Sequence, residues 1–487
     1  MTDNLKRFIT HTGWAFASLA VAAIVQFIVR IFLARYYGAG DLGLYTLAFT
    51  AYSFGLIFSG FGIGSGLLKY VAEAGENLPR IHLIVISGIT TSFLSGCIMG
   101  LILYFASPYI STYFFKMPEL TVLFQIVSFA FPFIALEKAV LGFLNGIRRM
   151  RLFAFINIIQ YFMVVILTFI FALKGYDIKY AIMALIFPVV LMSLLSLFYV
   201  RKSLLRFQIA ECTPVVKMLL VFGFYAVLTR SMSTIMTYTD STMLGYFLTD
   251  VDVGVYAVAV VLMQAVRLPP QAIQTITAPM IALYWGKNEI DKIGDLVDRC
   301  MKYTAFYAIL ISFVVGFLSQ DFIGLFFGRD FLPASFPLQI LLVGAVFGAI
   351  QTSIGSALSS TAYIKLLYRI TGVTALLNVG MNILLIPHFG ISGAALATSM
   401  IMTLSALIQL YFTQRLIRIR IDWLWFVKLF GSTILIAAGA YGIGQILNLY
   451  LCTLLALFIL IAVILRFFVT SADRKRIREI LHLSARG

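Results

Sequence analysis

The sequence is a succession of apolar runs, each near 20 residues or longer, parted by short stretches that hold most of the charge. A helix that crosses the hydrocarbon of a bilayer needs ~20 such residues. Inside lipid every backbone amide must be satisfied within the protein, so the pattern restricts the chain to a bundle of spanning helices. Fourteen runs qualify: 12–35, 43–66, 81–105, 121–143, 153–173, 180–200, 215–243, 252–278, 303–319, 333–357, 368–387, 391–413, 424–446 and 449–468. Composition agrees, since 61% of the 487 residues are hydrophobic and only 11% are charged, too few to cover a soluble surface of that size. Loops are short, and no extramembrane domain is expected. Lys6 and Arg7 precede the first run as in a signal peptide, but the run is long and further spans follow, so it reads as a retained first helix.

The net charge of +16 does not indicate nucleic acid, because the basic residues sit between apolar runs, where they act as topology signals. With a cytoplasmic N-terminus, 28 of the 36 lysines and arginines fall inside, 5 fall outside and 3 lie within spans. A miscount of spans before the C-terminus would scramble this alternation. The reading is therefore a multi-pass protein of the cell (cytoplasmic) membrane with both termini cytoplasmic. Cys97, Cys212, Cys300 and Cys452 are scattered, with no zinc spacing and no disulfide framework.

The stretch Leu33 to Ala48, LARYYGAGDLGLYTLA, recurs as Leu244 to Ala259, LGYFLTDVDVGVYAVA, at an offset of 211 positions. Leu33/Leu244, Asp41/Asp252, Gly43/Gly254, Tyr45/Tyr256 and Ala48/Ala259 are identical. A weaker pairing at an offset of 213 matches Ile178, Ala181, Ala184 and Leu194 with Ile391, Ala394, Ala397 and Leu407. Helices one to six thus echo helices seven to twelve, and an even number makes the repeats parallel, related by a pseudo-two-fold axis along the membrane normal. The expected fold is an all-α polytopic membrane protein: fourteen transmembrane helices in two parallel six-helix lobes, 1–210 and 211–420, plus two C-terminal helices and a basic cytoplasmic tail in 421–487. In the repeated turn, Asp41 and Asp252 are placed to cap free N–H groups, and Tyr45 and Tyr256 sit at interface depth.

This plan, together with the segments ARYYGAGDLGLY, FSGFGIGSGLLKYVAE, LGFLNGIRRMRL, TDSTMLGYFLTDVDVGVYAVA and TAPMIALYWGKNEID, resembles the polysaccharide transport (Wzx-like) flippases of the multidrug/oligosaccharidyl-lipid/polysaccharide exporter superfamily. The resemblance extends over essentially the whole chain. It implies alternating access between two lobes around a central cavity. The implied substrate is a lipid-linked oligosaccharide, a saccharide on a polyprenyl diphosphate, moved to the outer leaflet for cell-surface glycan assembly.

Arg30, Arg230, Arg267 and Asp240 fall within or at the ends of spans, outside the loop clusters. A charge deep in the bilayer costs several kcal/mol, so such residues face a cavity, a partner or the interface. Arg230 is about 15 residues, or roughly 22 Å at 1.5 Å per residue, from the inner end of its helix, too deep to snorkel. Guanidinium stays charged and offers bidentate donors, so the three arginines are the candidate cavity residues for a diphosphate. Arg30 also has a structural reading as a snorkelling interfacial residue, and any of the three as a member of a buried ion pair. Arg30 and Asp240 lie at almost the same depth in the two repeats and are expected to pair across the outer gate when the cavity faces the cytoplasm; alternatively Asp240 binds a coupling cation, a proton or sodium. Pro269-Pro270 frees backbone carbonyls and is the candidate hinge. Glu137-Lys138 reads as a local ion pair, and Gly55, Gly60, Gly62, Gly64 and Gly66 read as close packing in preference to substrate contact. The run Arg474 to Glu479 suits anionic lipid.

No GxxxxGK[ST] loop is present, the four histidines are isolated, and no outer loop could house a ligase site. The chain reads as a monomeric transporter, not an enzyme, with no cofactor and no metal site. The alternative function is a cation-coupled multidrug antiporter of the same superfamily; a membrane glycan polymerase or ligase is the third.

Overall fold

A computed structural model describes residues 2–204, 209–417, 421–444 and 449–468, and these contain helices and short connections with no strand. The helices are α1 Thr2–Phe58, α2 Ile63–Ala74, α3 Leu78–Tyr109, α4 Leu120–Gly146, α5 Met150–Leu173, α6 Ile178–Leu204 and α7 Ile209–Phe247. They continue as α8 Asp250–Gly286, α9 Ile290–Phe317, α10 Ser319–Phe326, α11 Ser335–Ser359, α12 Ile364–Ile417, α13 Trp423–Gly444 and α14 Leu449–Val463. Eleven helical segments among the described residues are long and apolar enough to cross a membrane, and Cys452–Val463 is a shorter apolar helix. Large apolar side chains such as Phe105, Phe187 and Phe458 stand exposed on them, an arrangement stable in lipid and unfavourable in water. The protein is a multi-pass, all-helical membrane protein. The basic run from Arg474 lies outside the described residues.

Two helices carry breaks at glycine. α1 turns at Gly38 (φ 81°, ψ −172°) and α12 at Gly390 (φ 57°, ψ −137°), both in conformations that a Cβ opposes. These points fall between the runs 12–35 and 43–66, and 387 and 391, where the sequence predicts loops. The run 43–66 is not one helix. α1 ends at Phe58, four residues turn, and α2 starts at Ile63, with Phe61 (φ 43°) and Gly62 (φ 66°) both left-handed. Hydropathy does not register the break because the turn residues Ser59, Gly60, Phe61 and Gly62 are uncharged and leave the apolar run uninterrupted.

The described chain forms two compact units. The first comprises Met1–Val261, Ile323–Pro337 and Thr371–Thr398. Its core is built from apolar residues of α2, α3, α4 and their neighbours, among them Ile63, Leu67, Ile84, Val85, Val140 and Leu144. α3 lies against α4 through small residues, since a Cβ at Gly96 would press on Pro132 and on the Phe131 carbonyl. The half of α1 after Gly38 meets α8 in the same unit, and the contact point is the repeat itself. A Cβ on Gly43 would collide with the Asp250 carbonyl, and one on Gly254 with the Ala39 carbonyl. The identical pairs Leu33/Leu244, Tyr45/Tyr256 and Ala48/Ala259 are all buried. The tyrosines thus belong to the core and not to the lipid interface. Capping also differs in detail: α8 opens with a box in which Asp252 accepts from the Thr249 N–H (3.2 Å) and hydroxyl (2.7 Å), while the Asp252 N–H donates to the Thr249 hydroxyl (3.3 Å).

The second unit comprises Leu262–Phe322, Leu338–Ile370 and Ser399–Gly487. Within it α8 stays helical through Pro269 and Pro270. Pro269 has no N–H for the carbonyl of Ala265 four residues earlier, and the Tyr307 hydroxyl donates to that carbonyl instead, at 3.2 Å. A Tyr307→Phe variant is expected to lower unfolding stability by about 1 kcal/mol, the net worth of one such bond. Thermal unfolding in detergent measures it, and an unchanged midpoint would remove Tyr307 from this role.

Candidate functional site

The first unit holds a cavity of about 220 Å³ between the end of α1, the start of α2, α4, α5 and α7. Its walls are set by glycine. A Cβ at Gly62 would strike the Gly223 carbonyl, one at Gly64 the Lys138 carbonyl, and one at Gly142 the Gly64 carbonyl. α2, α4 and α7 therefore approach at backbone distance, and Gly60, Gly62 and Gly64 line the space that remains. The glycine-rich stretch thus serves close packing and also borders a cavity. Two cations reach it, Arg230 from α7 and Lys138 from α4, with Ser65, Asn145 and Asn157 as polar neighbours. Neither cation forms an ion pair; the salt bridges of the described residues involve Lys69, Lys292, Arg299 and Lys302. Two unpaired cations beside amide and hydroxyl groups have the chemistry to hold an anion with several oxygens.

A second cavity of about 100 Å³ adjoins it and shares Leu56, Lys138 and Asn157. Glu137 lines it and is 4% exposed. The Glu137–Lys138 ion pair predicted from adjacency is not formed: the Gln160 side-chain amide donates to Glu137 Oε2 at a long 3.4 Å, and no basic group lies within ion-pair distance. Neighbours in sequence point about 100° apart on a helix, so adjacency does not favour contact. Sequence reasoning passed over Glu137 as a cavity residue. The signal was its register, with apolar Phe133 and Leu141 four residues to either side marking a buried face.

Asp240 on α7 lies in a third polar cluster of the same unit. The Tyr256 hydroxyl (2.6 Å) and the Thr398 hydroxyl (2.6 Å) donate to Oδ2, and the Asn382 amide donates to Oδ1 at 3.0 Å. Asn378 donates to Thr398 and accepts from Asn382, both at 3.3 Å. All five side chains are buried, and Asn382 Oδ1 has no partner. A buried carboxylate beside an unfilled amide oxygen is suited to a small hard cation or a proton. Among the described residues no group of three or more His, Cys, Asp or Glu gathers for a metal ion.

The arginines separate. Arg230 lines the large cavity. Arg30 is 7% exposed, donates through Nη1 to the Ala257 carbonyl at 3.2 Å, and has a buried Nε without a partner. The expected pairing of Arg30 with Asp240 is not formed, because Asp240 is saturated by uncharged donors while Arg30 turns to the α8 backbone next to Tyr256. Arg267 belongs to the second unit, half-buried beside Gly348, with its Nε also unpartnered. Pro269 and Pro270 follow it in an unbroken helix.

Residues 9–285 match the family described as "Polysaccharide biosynthesis protein", more than half of the chain. The chain belongs to this polysaccharide biosynthesis family. Residues 226–384 also match the family described as MatE. Among relatives, the "Probable low-salt glycan biosynthesis flippase Agl15" of Haloferax volcanii is 23% identical over 402 residues, 82% of each chain. Among solved structures, the lipid II flippase MurJ in its inward closed conformation superposes with a TM-score of 0.69 at 18% identity, covering 94% of this chain and 100% of that one. An inward-facing multidrug resistance MATE family transporter of the MOP superfamily gives 0.71 at 14% identity, over 82% and 94%. At these identities the solved structures speak to the fold, and the polysaccharide family member shares it with both flippases and drug transporters.

Proposed function

We propose that this polysaccharide biosynthesis family member is a flippase that carries a polyprenyl-diphosphate-linked saccharide across the cytoplasmic membrane by alternating access. The observation that carries the reading is the cavity in which Arg230 and Lys138 stand without acidic partners. A drug antiporter for organic cations needs the opposite polarity, and two cations would repel its cargo. The relative named as a glycan biosynthesis flippase supports the same substrate class. Two halves, 1–210 and 211–420, supply the moving parts, and 421–487 adds two helices and a basic tail that attracts anionic lipid. The breaks at Gly38 and Gly390 inside two long apolar segments, and the apolar helix Cys452–Val463, support a count of fourteen crossings. An even count puts both termini on one side, and the distribution of basic residues between the spans supports the cytoplasmic one. Arg30 and Arg267, each with an unpartnered buried Nε, are the further cationic groups an anionic headgroup meets. Asp240, beside the unpartnered amide oxygen of Asn382, is the coupling site for a proton or sodium ion. Pro269 and Pro270 are the hinge, where a helix lacking two backbone bonds bends at least cost. The chain works as a monomer, transports without catalysing a reaction, and uses no cofactor.

Reconstitution with a fluorescent polyprenyl-diphosphate saccharide tests the function directly. Arg230→Ala is expected to lower transbilayer transport about tenfold and Arg230→Glu further, since a charge-assisted bond to phosphate is worth ~1.5–3 kcal/mol and 1.4 kcal/mol is tenfold. Transport by Arg230→Glu at the wild-type rate would remove the cavity from the path.

A further inference from the structure

We infer that Glu137 is a proton-binding site, and that its proton is linked to anion binding at Arg230 and Lys138 in the adjoining cavity. The linkage rests on the anion reading of that cavity; the proton site does not. Glu137 is 4% exposed inside α4, holds one long hydrogen bond from a neutral amide at 3.4 Å, and has no cation within ion-pair distance. An ionised carboxyl in that setting is strongly disfavoured, and a proton relieves it without any movement of the fold. The cavity of about 100 Å³ beside Glu137 is large enough to admit water to the group.

The titratable groups that line this cavity are few. Lys138 comes from the same helix, Tyr45 and Tyr52 from α1 and Tyr161 from α5, while α6 contributes Leu185. A phenol, with an unperturbed pKa near ~10, does not exchange protons around neutrality, which leaves the carboxyl and the ammonium. Lys138 borders both cavities, so it is a shared countercharge. An anion held by Arg230 and Lys138 occupies that countercharge and adds negative potential, and both effects keep Glu137 protonated. When the anion leaves, Lys138 is free to face the carboxylate and the proton passes to cavity water. The bond that changes is the O–H of Glu137. By reciprocity, protonated Glu137 tightens anion binding by the factor with which the anion tightens the proton.

The test uses the full-length protein in detergent and inorganic pyrophosphate titrated from about pH 5 to about pH 8, the range open to perturbed carboxyls. Wild-type affinity is expected to fall with rising pH relative to Glu137→Gln, by up to about tenfold per unit where Glu137 titrates. Glu137→Gln mimics the protonated carboxyl and breaks no ion pair, so it is expected to fold and to match the wild type at low pH, keeping only the pH dependence of pyrophosphate itself. Coincident profiles for the two proteins would overturn the linkage. Infrared difference spectra without pyrophosphate read the proton itself, as a protonated-carboxyl band that is lost as pH rises and is missing in Glu137→Gln. Absence of that band at every pH overturns the proton site. A band that titrates in a protein unable to bind pyrophosphate upholds the proton site and overturns the anion reading.

Discussion

An Asp240→Leu variant is expected to unfold far below the wild-type temperature, the largest loss that removing one polar side chain causes here. Tyr256, Thr398 and Asn382 all donate to the Asp240 carboxylate, and all are buried. Leucine leaves three donors without an acceptor, at ~1–3 kcal/mol each. Relief from burying a carboxylate offsets part of that, so the net loss is about 4 kcal/mol. Asp240→Asn retains an acceptor oxygen for some of the donors and is expected to lose only about 1–2 kcal/mol. The two substitutions therefore divide structure from coupling. Asp240→Asn stays folded, yet it lacks the negative charge that a sodium ion or proton requires, and its transport is expected to stop responding to either gradient. Heating in detergent followed by size-exclusion chromatography reads the stability, and proteoliposomes read the coupling. An Asp240→Leu protein that stays monodisperse at the wild-type midpoint would show that the cluster is not holding α7, α8 and α12 together.

Much of the molecule is written in local pattern. Run length and hydropathy define the helices, and Gly38 and Gly390 mark turns within a residue or two of where the apolar runs part. The turn before α2 escaped because Phe61 and Gly62 leave hydropathy unchanged while the backbone turns left-handed. The sites are less legible, since their partners are distant in sequence. Asp240 meets Asn382 and Thr398 across 142 and 158 positions, and no local rule joins them. A trace was available: Asn378 and Asn382 stand four apart inside an apolar run, one polar face on a helix that should have none in lipid. The pairing of Arg30 with Asp240 failed for a related reason. Equal depth and opposite charge are necessary for a pair, but α8 supplies each group with a nearer partner, the Ala257 carbonyl for one and the Tyr256 hydroxyl for the other. Lys138 shows the converse error, where adjacency in the chain suggested a partner that helix geometry turns away.

Gly43→Ala and Gly254→Ala are each expected to destabilise the protein by about 2–3 kcal/mol, and Gly254→Val to prevent its accumulation as folded protein. The obstacle to a methyl group at either position is backbone, the carbonyl of Asp250 for Gly43 and of Ala39 for Gly254, and backbone cannot rotate aside as a side chain does. Each added Cβ would also sit 3.0 Å from the amide nitrogen of the other glycine, so the two positions form one crossing and not two separate contacts. Relief requires α1 and α8 to separate, and a separation that admits one methyl group admits the second at little extra cost. The double variant is therefore expected to lose less than the sum of the singles, by about 1–2 kcal/mol, the coupling found for residues in direct contact. Strict additivity would mean that the two glycines act independently and that the crossing is not shared. The prediction also bears on why the repeat looks as it does. Two copies of one turn that pack against each other must each be hollow where the other is full, so glycine is required in both at the same place. Arg30 on α1 and Asp240 on α7 sit upstream of the repeated turn, where no such mutual constraint applies, and there one copy carries a guanidinium and the other a carboxylate. The self-contact holds the copies alike, and the positions free of it are where the two copies of this family member differ in charge.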